Sequence, residues 1–380
     1  MFAAIQPSSR AEAPGSAGHI SLLDGLRGLA AFSVLLCHYT YLFTLPGQST
    51  FDLKWATLQP GGEWLKQFHL LGIYAVNVFW IISGFVMAHV YLGAKTGTKA
   101  FVVNRFARLY PLHLLTLLIM AGLQILAFQR FGTWLISDYN DLYHFAQQLL
   151  FASGWGIDKH ASFNVPIWSV SVELLVYALF WVLRDWLHHR GLAAALALSA
   201  GAGLLVLIGV DWLVLGCSLH FFFGSAVAIV WHRLQSRREL VAVLGGSLMV
   251  IGLPLLLATV PAIAIPLGIN AFYGGLILLL ASLEGNAPQW LRQASQWLGD
   301  TSYGTYLWHL PFTMALILVL TDRTDIMQLA SHGWFLAAWL AAILALGRLS
   351  YRYFEYPARI LLRRLLTQRG KGGDIAARFA

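Results

Sequence analysis

The sequence predicts an all-α fold, a polytopic membrane bundle of about ten transmembrane helices with both termini in the cytoplasm. Of the 380 residues, 58 % are hydrophobic and only 11 % are charged, and the mean hydropathy is +0.66. Soluble domains carry roughly twice that charged fraction. The apolar runs are about 20 residues long, which is the length of a membrane helix. They are continuously apolar, whereas the strands of a membrane barrel alternate in polarity.

Ten apolar segments account for the predicted spans. They lie near residues 22–44, 70–92, 108–128, 167–184, 191–209, 211–231, 240–259, 262–282, 302–321 and 334–355. An even number of spans places the two termini on the same side of the membrane.

The basic residues are distributed unevenly between the two sides. One set of loops and helix ends contains Arg10, Lys95, Lys99, Arg105, Arg108, Arg184, Arg190, Arg233, Arg237, Arg238 and Arg292. The opposite loops contain Lys54, Lys66, Arg130, Lys159 and Arg323. Because cytoplasmic loops are enriched in Lys and Arg, the first set and both termini are predicted to be cytoplasmic. The net charge of +8 therefore reflects topology and anionic lipid, and no nucleic-acid partner is predicted.

The chain divides into three parts. Residues 1–19 are polar and lack the apolar core of a cleaved signal peptide, so they form a cytoplasmic N-terminal segment. Residues 20–357 form the transmembrane domain, and residues 358–380 form a basic, disordered cytoplasmic tail. Cys37 and Cys217 both lie inside apolar runs, which disfavours a disulfide framework. No metal is expected, because no Cys or His cluster has ligand spacing.

The two longest outer loops, near residues 45–69 and 129–166, are rich in Trp, Tyr, His and Gly. Long loops without obvious secondary structure are often functional. Aromatic faces beside hydrogen-bonding groups suit sugars, although Trp and Tyr are also common at any membrane interface.

The first span, "LLDGLRGLAAFSVLLCHYT", carries Asp24, Arg27 and His38. Arg27 and His38 are eleven residues apart, which is about three helical turns and roughly 16 Å of rise, so they share one face. Asp24 precedes Arg27 by three residues and is predicted to pair with it. Arg27 alone is also explained as a snorkelling anchor, and His38 as a helix–helix hydrogen bond. Ionisable groups inside a membrane are nevertheless functional candidates.

Glu173 in "NVPIWSVSVELLVYALF" is the best sequence candidate for a partner of His38. Its span enters from the outer side, and both side chains reach a similar depth in the outer half of the membrane. A carboxylate that accepts a hydrogen bond from a histidine fixes its tautomer and raises its basicity. The alternative for Glu173 is a structural pair with a Ser or Tyr.

Three further segments place polar residues in membrane spans. "NRFARLYPLHLL" contains Arg105 and Arg108, a pair that can clamp phosphates or simply mark the cytoplasmic side. "VNVFWIISGFV" brings Asn77, Ser83 and Gly84 into the second span, where small residues permit close helix packing or leave room for a thin ligand.

"TSYGTYLWHLPF" supplies Tyr303, Tyr306 and His309 to the ninth span. Pro311 then frees a backbone carbonyl one turn earlier in the same helix. The segment predicts either a structural polar seam or a substrate channel.

Together these segments resemble the acyltransferase-3 family of membrane O-acyltransferases, bacterial enzymes that modify surface sugars. The resemblance runs from about residue 20 to 357 and rests on five features in order. They are Arg27 with His38, "NVFWIISGF", "NRFARLYP", "IWSVSVE" and "SYGTYLWHLP".

The resemblance implies His38 as the essential histidine and Glu173 as the acid of the W-S-x-S-x-E segment. It implies Arg27, Arg105 and Arg108 as donor-binding residues. Asn77, Ser83, Trp168, Ser169, Tyr303 and His309 are the expected substrate-binding residues. The donor substrate implied is acyl-CoA, with acetyl-CoA the first choice, and no cofactor is permanently bound.

The predicted activity is transfer of an acyl group to a hydroxyl of an extracytoplasmic glycan or lipid-linked sugar at a bacterial inner membrane. Some members carry a hydrolase-like partner domain, and without one transfer has to finish on the membrane domain itself or on a separate acceptor enzyme. His38 is predicted to act as general base, with an acyl-histidine intermediate as the chemical alternative. The rival functions are a transporter or flippase without chemistry, although no internal repeat supports one, and a structural subunit of a polysaccharide assembly.

Overall fold

The computed structural model describes residues 18–44, 53–158, 160–256, 261–320 and 323–368, and these residues contain helices and no strand. Fourteen α-helices follow one another in these described ranges. They are α1 (Ser21–His38), α2 (Leu53–Leu58), α3 (Gly62–Tyr91), α4 (Thr98–Phe131), α5 (Leu142–Leu149), α6 (Ile167–Arg190), α7 (Leu192–Leu207), α8 (Leu213–Leu234), α9 (Arg238–Leu256), α10 (Pro261–Leu283), α11 (Gln289–Val319), α12 (Arg323–Ala330), α13 (Gly333–Ser350) and α14 (Tyr356–Gln368).

Each of the ten predicted spans coincides with a helix in the described part of the chain, and the all-helical membrane bundle is confirmed. Eight described helical segments are long and apolar enough to cross a membrane. The two predicted spans outside this set are α7 and α11. With 16 residues, α7 is short, whereas α11 carries polar residues on the face that it buries inside the bundle. A buried polar face lowers the average hydropathy of a helix without exposing any charge to lipid.

Helix α1 packs against both α3 and α11, and glycines bring α1 and α11 unusually close. A Cβ atom on Gly28 would lie 2.5 Å from the Leu298 Cβ, and one on Gly299 would lie 2.3 Å from the Asp24 Cβ. Side chains larger than hydrogen therefore do not fit at this crossing. The contact places the polar residues of α1 directly beside those of α11.

A second glycine contact joins α3 and α8. A Cβ atom on Gly84 would lie 1.8 Å from the Phe221 carbonyl oxygen, and one on Gly224 would lie 2.0 Å from the Ile81 carbonyl oxygen. The Ser225 hydroxyl donates to the Gly84 carbonyl at 3.2 Å. The role of Gly84 in close helix packing, one of its two sequence interpretations, is therefore confirmed.

The C-terminal part of the chain differs from its prediction as a disordered tail. After α13 a π-helical turn, Tyr351–Glu355, leads into α14, which packs against α4. Helix α14 has basic residues, including Arg359 and Arg363, within an otherwise apolar repeat. Composition alone suggested a solvated tail because Arg is frequent there, but the apolar spacing gives the helix a face to bury. Residues 369–380 lie outside the described part of the chain.

The outer loops also contain more structure than predicted. Residues 45–52 lie outside the described part, but α2 follows and α3 begins at Gly62. The loop from residue 132 to 166 contains α5, whose N-terminal amide at His144 is capped by the Asp141 carboxylate. The buried Gln148 amide then donates to the Ser162 carbonyl at 2.6 Å. These hydrogen bonds hold the loop across the end of α6.

The packing of α3 against α8 predicts a stability effect. We expect Gly84→Ala to lower the melting temperature of the detergent-solubilised protein, because its methyl group meets a backbone carbonyl that cannot move aside. Overpacking of this kind typically costs about 1–3 kcal/mol. Gly122→Ala is the matched control, since no atom lies within 4 Å of the added Cβ in the middle of α4. Equal melting temperatures for the two variants would contradict the packing described here.

Candidate active site

A cavity of about 330 Å³ lies among α1, α3, α4, α6 and α11. It begins at the exposed residues Gly18 and His19, where the arginine-rich ends of the helices lie, and ends at the buried Tyr306. Its polar wall consists of His19, Asp24, Arg27, Ser83, His89, Arg105, Arg108, Ser169, Glu173, Tyr177, Asp300, Ser302, Tyr303, Tyr306 and Arg359. The bundle thus gathers ionisable side chains from several helices around one space.

Near the cavity entrance, Asp24 is paired twice. An Arg27 guanidinium nitrogen lies 3.3 Å from one carboxylate oxygen, and the His19 Nε2 lies 2.8 Å from the other. The predicted pairing of Asp24 with Arg27 is confirmed. The i, i+3 spacing on α1 places the two side chains on one face, and pairing lowers the cost of burying each charge.

Arg105 and Arg108 project from α4 into the same cavity as Arg27. Arg105 donates to the Tyr91 hydroxyl at 3.2 Å, and its guanidinium lies over the rings of Tyr91 and Tyr177. Its buried Nε has no hydrogen-bond partner among the described residues. The charge of Arg108 interacts with those of Arg27 and Arg105. Three guanidiniums around one buried space favour an anionic ligand with several charges.

Glu173 lies in the cavity wall beside Ser83 and Tyr177. The Tyr177 hydroxyl, one helical turn along α6, donates to the Glu173 carboxylate, and Ser83 is its other hydrogen-bonding neighbour. The prediction that Glu173 orients His38 is therefore corrected. Matching depths place two groups at one level, but rotation of α6 directs Glu173 toward the arginines of the cavity. The i, i+4 spacing of Glu173 and Tyr177 is enough to predict their contact.

The partner of His38 is His309. The His38 Nδ1 and the His309 Nε2 lie 2.8 Å apart, and their rings are stacked with centroids 5.0 Å apart. On its other side, the His309 Nδ1 lies 2.7 Å from the Tyr306 carbonyl oxygen. His309 is 1 % exposed, whereas His38 is half-buried at the last residue of α1.

These contacts fix the tautomers of both neutral histidines. A carbonyl oxygen only accepts hydrogen bonds, so the His309 Nδ1 carries its proton and its Nε2 carries a lone pair. That lone pair requires a proton on the His38 Nδ1. The lone pair of His38 is then on Nε2, the nitrogen that acts as a base.

Tyr306 connects the cavity with the histidine pair. Its hydroxyl lies 2.8 Å from the Ser169 hydroxyl and donates to the Pro166 carbonyl at 2.9 Å. Its ring centroid is 6.0 Å from that of His309. The same residue therefore forms the buried end of the cavity and holds His309 through its backbone carbonyl. The histidine pair lies directly beyond that end.

The backbone carbonyl that Pro311 leaves without a helical hydrogen bond accepts one from a side chain. Proline lacks the N–H that would bond to the residue four positions earlier, which is Leu307. Its carbonyl accepts from the Asn164 amide at 3.2 Å, and the same amide donates to the Thr116 hydroxyl at 3.1 Å. Asn164 thereby ties the outer loop to α4 and α11 beside the histidine pair.

The remaining predicted site residues divide between the cavity and the core. Ser83, Ser169 and Tyr303 line the cavity, and the Tyr303 hydroxyl donates to the Leu109 carbonyl at 2.8 Å. Asn77 and Trp168 are not part of this cavity wall. Trp168 instead packs edge-to-face against Trp80, with centroids 6.0 Å apart.

Arg359 was missed as a site residue. Sequence reasoning assigned it to a tail, but α14 places it in the cavity wall. Arg359 is a basic residue close behind the tenth predicted span, and this position was the sequence signal for a role near the cavity.

Comparisons with known proteins find a matching family model and several bacterial relatives. A family model described as an acyltransferase domain matches residues 20–351. The chain is 35 % identical to Acyltransferase MdmB of Streptomyces mycarofaciens over 46 % of this chain and 44 % of that protein. It is 22 % identical to Peptidoglycan O-acetyltransferase OatA of Listeria monocytogenes over 90 % of this chain and 56 % of that protein.

A third relative matches over nearly its whole length. The chain is 26 % identical to Exopolysaccharide production protein ExoZ of Rhizobium meliloti, over 82 % of this chain and 94 % of that protein. By contrast, the chain spans about half the length of the two relatives above. No solved structure matches significantly.

The position of the cavity entrance predicts which side of the membrane it faces. We expect a membrane-impermeant maleimide to label His332→Cys, at the exposed start of α13, in intact cells. It should label His19→Cys only after permeabilisation, since charge asymmetry puts the entrance in the cytoplasm. The native Cys37 and Cys217 are buried, so the unsubstituted protein serves as the blank. Labelling of His19→Cys in intact cells would reverse the orientation.

Proposed function

The chain belongs to the acyltransferase-3 family, and on that premise we propose that it is an O-acyltransferase that works across the membrane. The donor is acyl-CoA, most simply acetyl-CoA, bound from the cytoplasm. The acceptor is a hydroxyl of a glycan or lipid-linked sugar on the outer side of a bacterial inner membrane. The observation that carries the proposal is a base-competent histidine, His38, placed directly beyond an arginine-lined cavity.

The cavity suits the donor by charge and by length. Coenzyme A ends in phosphate groups, and guanidinium groups bind phosphate through two parallel hydrogen bonds. Arg27, Arg105 and Arg108, joined by Arg359, supply such groups. On the continuous helix α1, Arg27 and His38 are separated by about 16 Å, which is the scale of an extended pantetheine arm. The thioester then reaches the histidine pair while the phosphates stay near the arginines.

The chemistry follows from the tautomers of the two histidines. The His38 Nε2 takes the proton of the acceptor hydroxyl as the hydroxyl oxygen attacks the thioester carbonyl carbon. The C–S bond then breaks, and the coenzyme A sulfur leaves with the proton that His38 returns. The new ester and free coenzyme A are the products, so atoms and charge balance. Positioned proton transfer of this kind contributes about 10²–10⁴-fold in rate.

His309 is the positioning residue for this step. Its Nε2 accepts a hydrogen bond from the Nδ1–H of His38. This contact leaves the lone pair of His38 on Nε2, where it can take a proton. When His38 becomes positively charged, the same contact stabilises the imidazolium. A carboxylate has this role in the hydrolase triads. A neutral histidine held by the Tyr306 carbonyl takes that place here.

The glycan acceptor is supported by the names of two relatives. One is described as acting on peptidoglycan and another as taking part in exopolysaccharide production. The outer loop before α6 lies beside the histidine pair, because its Asn164 donates to the Leu307 carbonyl, two residues before His309. Aromatic rings stack on sugar faces, and neighbouring polar groups bind sugar hydroxyls.

Loss of the base predicts loss of surface acylation. We expect surface glycans of a deletion strain to lack an acyl mass shift, 42 Da for acetyl, that returns with the wild-type gene and not with His38→Ala. Mass spectrometry of the purified glycans measures this shift. His332→Ala, an exposed histidine of the outer face, is the matched control and should restore the shift. All variants are compared at equal membrane abundance.

Two results would contradict the proposal. Full acylation by His38→Ala would remove the base from the mechanism. Unmodified glycan accumulating on the wrong side of the membrane in the deletion strain, with no acyl shift to lose, would favour a transporter.

The His38–His309 contact predicts a graded response at position 309. We expect His309→Leu to lower kcat by about 10²-fold or more, with the KM for acyl-CoA unchanged, because the tautomer of His38 is no longer fixed. His309→Gln retains an acceptor and should recover part of that loss. Initial rates with purified protein and a hydroxyl acceptor give both constants. Equal losses in the two variants, at equal melting temperature, would assign His309 to packing alone.

A further inference from the structure

The outer loop brings together a histidine from α5 and an Asp-x-His segment that precedes α6. One ligand atom from each of His144, Asp158 and His160 lies within 4.8 Å of the others. The His144 Nε2 is 3.5 Å from one Asp158 oxygen, and the His160 Nδ1 is 2.5 Å from the other. His144 and Asp158 are fourteen positions apart in the sequence, so sequence spacing did not indicate a cluster.

His144 is positioned like a metal-binding histidine. Its Nδ1 donates to the Asp141 carboxylate at 2.8 Å, which places the lone pair on Nε2. That Nε2 is buried and has no hydrogen-bond partner among the described residues, and His144 as a whole is only 5 % exposed. A buried lone pair without a donor is costly. A carboxylate that orients a histidine in this way is the usual outer partner of a zinc ligand.

The separation between His144 and Asp158 fits a small divalent ion. Zn²⁺ binds nitrogen and oxygen at about 2.0–2.2 Å, so two ligand atoms of a tetrahedral site lie about 3.3 Å apart. The separation of 3.5 Å between His144 and Asp158 is close to that value. The shorter contact between His160 and Asp158 is bridged by a proton, which a metal ion displaces when it binds.

The surroundings hold these groups in position. The backbone N–H of His160 donates to one Asp158 oxygen at 2.8 Å. The backbone N–H of His144 donates to the Asp141 carboxylate at 2.9 Å. The His160 ring is fixed by stacking on Tyr139, with centroids 3.7 Å apart.

We propose that His144, Asp158 and His160 form a divalent transition-metal site, with Zn²⁺ the best match, that fastens α5 to the segment leading into α6. Imidazole nitrogens favour Zn²⁺ over Ca²⁺ and Mg²⁺, which prefer oxygen. The fourth position of a tetrahedral ion goes to water. By fixing Asp158 and His160, the ion supports the loop that continues through Asn164 and Pro166 to the histidine pair.

Zinc binding to the full-length protein tests this site directly. The protein is purified in detergent with a histidine-free affinity tag, stripped with a chelator and titrated with Zn²⁺ by calorimetry. We expect about one Zn²⁺ per chain and a rise in melting temperature on binding. Asp158→Asn and His160→Ala should each weaken binding at least about 10-fold, and Asp141→Asn by about 10–100-fold through loss of the oriented His144. His332→Ala is the matched control and should bind as the wild type does.

The outcomes separate cleanly. Asp158→Asn is nearly isosteric and His160 is exposed, so without metal both variants should have the melting temperature of the stripped wild type. A change in their zinc affinity then reflects loss of a ligand and not misfolding. Absence of zinc binding by the wild type would overturn the proposal. Wild-type affinity in both ligand variants would overturn it as well, because the ion would then bind elsewhere. Neither readout depends on acyl transfer.

Discussion

The close crossing of α1 and α11 is the contact on which the site depends. Gly28 and Gly299 let the two helices approach until side chains larger than hydrogen no longer fit. Helix α1 carries Arg27 and His38 on one face, and α11 carries Tyr306 and His309. One packing contact therefore sets both ends of the site. A wider crossing would separate the His38 Nδ1 from the His309 Nε2 and weaken the contact that fixes the tautomer of His38.

The cost of polar groups in a membrane explains why they are concentrated in one place. An isolated charge within the hydrocarbon region is expensive, and pairing or a shared polar cavity lowers that cost. Asp24 pairs with Arg27 and His19, while Glu173 lies close enough to Arg27 and Arg105 to interact with their charges. Arginines remain in excess at the cavity entrance. That excess is tolerable where the occupant is an anion, and it matches a donor carrying several phosphates.

The site separates two tasks along the membrane normal. In the proposed mechanism, charge recognition takes place among the arginines, and proton transfer takes place at His38, about 16 Å further along α1. Between them, Tyr306 forms the end of the cavity with its hydroxyl and holds His309 with its carbonyl. The arrangement lets a thioester reach the base while the charged part of the donor stays at the opposite end. It also keeps the Glu173 carboxylate away from His38. The backbone carbonyl of Tyr306 orients the histidine pair instead.

The sequence by itself determined the helices, their positions and several members of the site. Apolar length fixes the spans because an unbonded backbone is not tolerated in lipid, and the i, i+3 spacing fixes the pairing of Asp24 with Arg27. Spacing rules of this kind apply within a single helix. They state which residues share a face of one helix, and they carry no information on how that face is rotated against another.

Only the tertiary structure decided that His309, rather than Glu173, contacts His38. It also placed Arg359 in the cavity and assembled His144 with the segment from Asp158 to His160. The physical reason is common to all three. Each depends on the rotation and approach of elements distant in the chain, and that approach is set by glycine contacts and loop hydrogen bonds that act between helices.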